Sequence, residues 1–91
     1  MVSQKVRIMN PTGLHLRPAG IFCKTAMLFS SKITVETENK GHPVTANAKS
    51  VLSILGASIK AGDEIVLVCE GLDEEDALQR MVQVVTDGLG E

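Results

Sequence analysis

The chain has 91 residues, a formal net charge of −2 and 44% hydrophobic residues, which fits one compact domain, residues 1–91, with a small core. Two Phe and no Trp or Tyr leave it without the aromatic platforms on which nucleic-acid bases stack. Nor is there a basic excess to neutralise a phosphate backbone, so direct nucleic-acid binding is not expected.

Residues 4–9, QKVRIM, alternate, with Val6 and Ile8 on one side and Lys5 and Arg7 on the other, the pattern of a half-buried strand. Nothing around them resembles a signal peptide or a bilayer-spanning run, so a cytoplasmic protein without membrane insertion is expected. NPTGLHLRP follows and is rich in turn formers; Pro18 suits a first helical turn. Ala19, Phe22, Cys23, Ala26 and Phe29 recur at helical spacing, which predicts an amphipathic helix over 16–29, ended by Ser30 and Ser31. A strand over 32–38 has Ile33 and Val35 inward, Asn39-Lys40-Gly41 signals a hairpin turn, and 43–47 returns. The hairpin around 37–43 looks a few residues longer than usual, with His42 in its loop and without a role.

Ser50 opens a short helix carrying Val51, Leu52, Ile54 and Leu55. Residues 64–70, EIVLVCE, are apolar on both faces, which predicts a central strand. Gly71 breaks it, and Asp73 is expected to cap a last helix whose first turn holds Glu74, Glu75 and Asp76. Ala77, Leu78, Met81, Val82 and Val85 give that helix a buried stripe, and Gly88 and Gly90 are expected to let its end fray. Cys23 and Cys69 are far apart, in apolar segments and outside any CxxC pair, so both read as reduced core thiols rather than a disulfide or metal site. The order β-α-β-β-α-β-α predicts an α+β open-faced sandwich: a four-stranded antiparallel sheet with three helices on one face and solvent on the other.

Chemistry concentrates in Gly13-Leu14-His15-Leu16-Arg17-Pro18. A helix start offers unpaired N–H groups and partial positive charge. Arg17 adds donors matched to phosphate oxygens, and His15 a nucleophilic nitrogen. Residue chemistry by itself leaves two readings open, a solvated loop histidine and a phosphoryl acceptor.

The segment Asn10-Pro11-Thr12-Gly13-Leu14-His15-Leu16-Arg17-Pro18-Ala19 closely resembles the active-site segment of HPr, the phosphocarrier family of the bacterial phosphoenolpyruvate-dependent sugar phosphotransferase system. Asn47-Ala48-Lys49-Ser50-Val51-Leu52 is similar to that family's regulatory-serine segment, and Asp63-Glu64-Ile65 and Glu70-Gly71-Leu72-Asp73-Glu74-Glu75 to its last strand and the start of its last helix. The resemblance implies that enzyme I passes a phosphoryl group to Nδ1 of His15, that Arg17 stabilises it, and that a sugar-specific IIA component receives it. No cofactor and no metal are implied, and a monomer suits a shuttle.

Leu16, Gly20, Lys24 and Met27 share a stripe beside His15, and Val51, Leu52 and Leu55 offer a neighbouring apolar patch; the resemblance implies that both form the partner-docking face. Val51 and Leu55 read equally well as core. Leu16 is larger and Gly20 smaller than the residues usual at those places, which bears on partner choice rather than on chemistry. Ser50 reads first as a helix N-cap. The resemblance adds phosphorylation by HPr kinase/phosphorylase and contact with a catabolite-control transcription regulator. A regulatory binding protein resembling the family's catabolite-repression paralogue, acting only through phosphorylated Ser50, is the alternative; that paralogue lacks the histidine present here as His15. A generic ligand- or metal-binding module finds no ligand cluster or Gly-rich nucleotide loop to support it.

Overall fold

The computed structural model describes residues 1–91. In chain order the elements are β1 (Val2–Arg7), α1 (Leu16–Ala26), β2 (Lys32–Asn39), β3 (His42–Asn47), α2 (Val51–Gly56), β4 (Glu64–Glu70) and α3 (Glu74–Thr86). The four strands form one antiparallel sheet in the order β1-β4-β2-β3. The apolar run of β4 is thereby explained, since it lies between two neighbours. Register sets one face of the sheet: Val6 opposes Ile65, Ile33 opposes Cys69, and Val35 opposes both Leu67 and Ala46. All seven are buried, and they join Ala19, Phe22, Ala26, Ile54, Ala77, Met81 and Val85 from the helices in one core. The opposite face pairs Lys5 and Glu36 with Val66, and Ser3 and Thr34 with Val68; it is mostly polar, with two half-buried valines and the exposed Pro43. The fold is the expected open-faced sandwich.

β1 begins and ends about two residues earlier than the alternation predicts. Ile8 remains buried beyond its end, donating its N–H to Asp63 O at 2.8 Å and accepting from Gly62 N at 2.6 Å. α1 stops at Ala26, not Phe29. Phe29 fits the helical spacing because it packs on the core from the following turn, while Met27 and Leu28 face outward. The hairpin turns where Asn39-Lys40-Gly41 signals it. Lys40 (φ 53°) and Gly41 (φ 81°) make a two-residue turn with both residues left-handed, matched to the strand twist. His42 is therefore not in a loop; it opens β3, paired with Asn39.

Two corrections concern α3. Asp73 holds the N-cap position, yet its side chain makes no cap bond. It turns away to accept from the N–H groups of Ser30 and Ser31, each at 2.9 Å, and from the Ser31 hydroxyl. The end of the helix does not fray. Gly88, Leu89 and Gly90 are all left-handed (φ 93°, 53° and 83°) and fold the chain back, burying Leu89 in the core. Cys23 and Cys69 are buried and unpaired as expected, and burial pushes both thiols up from their ordinary range. No helix is long and apolar enough to cross a membrane.

Candidate functional site

The loop between β1 and α1 is braced from within and from behind. Gly13 (φ 67°) lies so close to the 59–61 segment that a Cβ would stand 2.7 Å from Ala61 N and 2.8 Å from Ile59 O. Only glycine meets both demands. Leu14 is buried and donates its N–H to Ile59 O at 3.1 Å. The Asn10 amide donates to Gly13 O at 2.8 Å, closing the loop on itself.

This bracing turns His15 outward. His15 is the N-cap of α1, in extended conformation (φ −78°, ψ −176°), and its carbonyl accepts from Ala19 N at 2.8 Å. Its imidazole caps nothing and is exposed. No hydrogen bond involves the N–H of Leu16 or Arg17, and Pro18, fully buried, has none to offer. Two free N–H groups thus stand beside the imidazole at the positive end of an eleven-residue helix. The Arg17 side chain is exposed and outside both ion pairs of the molecule, so its donors are uncommitted. The arrangement can hold a small oxyanion attached to His15. It contains no group of His, Cys, Asp and Glu placed to hold a metal.

Glu91 also reaches this loop. Its carboxylate accepts from Asn10 Nδ2 at 2.9 Å, from Thr12 N at 3.2 Å and from Thr12 Oγ1 at 2.8 and 2.9 Å. The bond from Asn10, those from Thr12 and the charge of Arg17 hold Glu91 below the usual carboxylate range. Sequence reasoning missed Asn10, Thr12 and Glu91 as neighbours, because contacts across some 80 residues leave no local pattern.

Of the expected docking stripe, Leu16 (63% exposed) and Met27 (67%) face solvent, as does Lys24. Gly20 is open above, since a Cβ there would meet nothing within 4 Å. On α2, Leu52 is 83% exposed, but Val51 and Leu55 are half-buried and pack against the core. Met9 and Leu28 are further large apolar residues at the surface that periodicity did not single out. Neither residues 1–35 nor residues 39–62 contain an Asp or Glu, so α1 and α2 carry no acidic side chain of their own, and Glu91 is the acidic residue brought to the loop before α1. The other acidic residues lie on β2, at or just before the ends of β4, and from Asp73 through α3 to Asp87.

Ser50 (φ −120°, ψ 114°) is the N-cap of α2, with its hydroxyl oxygen accepting from Ser53 N at 3.2 Å. The Ser53 hydroxyl in turn accepts from Asn47 N at 2.8 Å. Lys49 Nζ donates to Phe29 O at 2.6 Å and ties this segment to the end of α1. A polar surface depression lined by Lys5, Glu36, Glu38, Pro43, Asp63 and Glu64 does not include His15, Arg17 or Ser50.

Comparison with known proteins shows the family to which the chain belongs. Residues 2–87 match the PTS-HPr family model, described as the PTS HPr component phosphorylation site. The phosphocarrier protein HPr of Lysinibacillus sphaericus is 36% identical over 87 residues, covering 96% of this chain and 94% of the relative. The HPr-like protein Crh of Bacillus subtilis is 34% identical over 87 residues, covering 96% and 98%. Among solved structures, HPr from Thermoanaerobacter tengcongensis superposes with a TM-score of 0.87 at 40% identity, covering 100% of this chain and 98% of that one.

Proposed function

The chain belongs to the HPr family, and on that footing we propose that it is a phosphocarrier with His15 as the acceptor. The observation that carries this reading is the exposed imidazole of His15 beside the free N–H groups of Leu16 and Arg17 and the uncommitted Arg17 guanidinium. In the proposed cycle the Nδ1 lone pair of His15 attacks the phosphorus of the phosphohistidine on enzyme I. The new N–P bond forms as the donor's N–P bond breaks, and the donor imidazole leaves with the bonding pair. A second displacement, on a sugar-specific IIA component, regenerates His15. Arg17 and the helix end offset the negative charge of the transferring group, so the carrier acts by position and charge.

Leu16, Lys24, Met27 and Leu52, with Gly20 leaving room between them, form the proposed docking face, and Val51 and Leu55 support it from beneath. The absence of acidic residues from α1 and α2 themselves suits partners with an acidic rim. The proposed regulation places a phosphoryl group on Ser50, beside this apolar surface, where its charge opposes docking. HPr kinase/phosphorylase is the proposed agent and a catabolite-control transcription regulator a further proposed partner. The protein acts as a cytoplasmic monomer in this scheme.

The test is incubation with enzyme I and phosphoenolpyruvate, read by intact mass before and after acid. An acid-labile phosphoryl adduct that His15→Ala abolishes is the expected result. No adduct with several competent enzyme I preparations overturns the carrier reading and leaves the regulatory one, in which only an acid-stable adduct on Ser50 forms.

A further inference from the structure

Two features of the surface find no use within one copy of the chain. Gly20 lies in the second turn of α1, outside the left-handed region, where glycine is less favourable than alanine. The fold does not require it, since a Cβ there would meet nothing within 4 Å. Its neighbours on the helix surface, one turn before and one turn after, are Leu16, Arg17 and Lys24, and all three are exposed. Gly20 therefore leaves a gap one side chain wide, rimmed by two cations outside both ion pairs of the molecule. Leu72 is the converse. It is fully exposed in the turn between β4 and α3 and takes no part in the core. Asp73 and Glu74 beside it are occupied, the first by Ser30 and Ser31 and the second by the N–H of Gly71. Glu75 and Asp76, in the first turn of α3, are exposed and outside both ion pairs. The bonds from Ser30 and Ser31 set this turn at the end of α1 remote from His15. Leu72 does not fill the gap of its own molecule, because it would then be covered.

We propose that Leu72 of one copy seats over Gly20 of the next, with Glu75 and Asp76 against Arg17 and Lys24, so that the chain associates weakly with itself, head to tail. The shapes match, an apolar knob and a gap without a side chain. The charges match as well, acidic beside the knob and basic beside the gap. Knob and gap are different surfaces, so the contact is heterologous and leaves a free gap at one end and a free knob at the other. One leucine and a few exposed charges make a small contact, so association belongs to concentrated protein at low salt. Gly20 is part of the proposed docking face. On the carrier reading, on which this consequence alone rests, a copy seated there withholds that face from enzyme I, and the monomer remains the acting form.

Sedimentation velocity over a range of concentrations tests the contact without any phosphotransfer. At low salt the wild type is expected to sediment faster as its concentration rises, and at high salt as a monomer. Leu72→Ser removes the knob and Gly20→Leu fills the gap, and each variant alone is expected to stay monomeric. Their equimolar mixture is expected to form a dimer and nothing larger, since the first still offers a gap and the second a knob. A wild type that is monomeric at every concentration overturns the proposal. So does association that persists in either variant alone, or a mixture that stays monomeric. Should Gly20→Leu lose its fold, Lys24→Glu reverses a charge beside the gap and is read in the same way. For the consequence, transfer from enzyme I at concentrations where the wild type associates is expected to be faster in Leu72→Ser; equal rates overturn it. Absence of transfer in both proteins refutes the carrier reading and leaves the sedimentation result readable.

Discussion

Asp73 takes two hydrogen bonds from Ser31, one from its backbone N–H at 2.9 Å and one from its hydroxyl, across 42 residues of chain. Ser31 is buried, and Gly71 passes so close that a Cβ on it would stand 2.6 Å from the Ser31 hydroxyl oxygen. The turn after α1 and the turn before α3 are thus sewn together by one carboxylate. The Ser31 hydroxyl bond, then the N–H of Ser30, pull that carboxyl down to about 2.

In an unfolded chain the same carboxyl titrates near pH 4 (about 3.9). Because folding lowers the value, Asp73 contributes its full stabilisation above about pH 4 and loses it as the pH falls toward about 2. Asp73→Asn is expected to lower the urea midpoint at neutral pH, with the gap to wild type closing through that acid window. Urea unfolding across the pH series checks this; a gap of constant size would refute it.

Gly13→Ala forces a side chain into a left-handed position already crowded by the backbone of residues 59–61. A cost of about 1–3 kcal/mol is expected from the strained backbone alone, with steric displacement added. His15 moves with the loop, so phosphoryl acceptance should fall as well. Equilibrium unfolding and single-turnover transfer measure the two effects separately.

Phe22 and Leu52 are both large apolar residues on helices, yet one is fully buried and the other 83% exposed. Phe22→Ala should cost about 3–5 kcal/mol through lost burial and a cavity. Leu52→Ala should change stability by no more than about 0.5 kcal/mol and instead weaken binding to enzyme I. Thermal unfolding paired with calorimetric titration tells the roles apart; equal losses of stability would remove Leu52 from the docking face.

Ser50→Ala removes the acceptor for Ser53 N and should cost about 1 kcal/mol. Ser50→Asp keeps an acceptor at the cap, so it should stay near wild-type stability while slowing transfer, because its charge enters the docking face. Unfolding midpoints and transfer rates for the pair check this. An Asp variant as fast as wild type would place Ser50 outside the interface.

Local patterning carries most of the fold. The limits of β4 coincide with those expected from EIVLVCE, because burial on both faces leaves a continuous apolar run between Glu64 and Glu70. The end of α1 was misplaced because Phe29 keeps helical spacing without helical geometry. The hairpin turn lies at its signal, but His42 is in β3 rather than in a loop, because Lys40 adopts a left-handed conformation that a charged, long side chain does not advertise and the turn closes in two residues. Asp73 satisfied every local rule for a cap, and a distant pair of serine N–H groups won its carboxylate. His15 and Arg17 could be picked out because a helix start, a glycine and a proline frame them. The Glu91 contacts could not, since they depend on how the last helix is laid across the first loop.

The outward position of His15 has a consequence for the lifetime of anything bonded to it. The imidazole is exposed at the start of α1, so on the proposed reading the carrier would not keep water away from the group. On the proposed carrier reading that task would fall to whichever protein covers α1 and α2, whose exposed Leu16, Met27 and Leu52 offer apolar surface for the contact. Cargo chemistry and cargo protection would in this way be divided between two molecules, and the hydrolytic loss of the group would be set by the time spent alone between encounters.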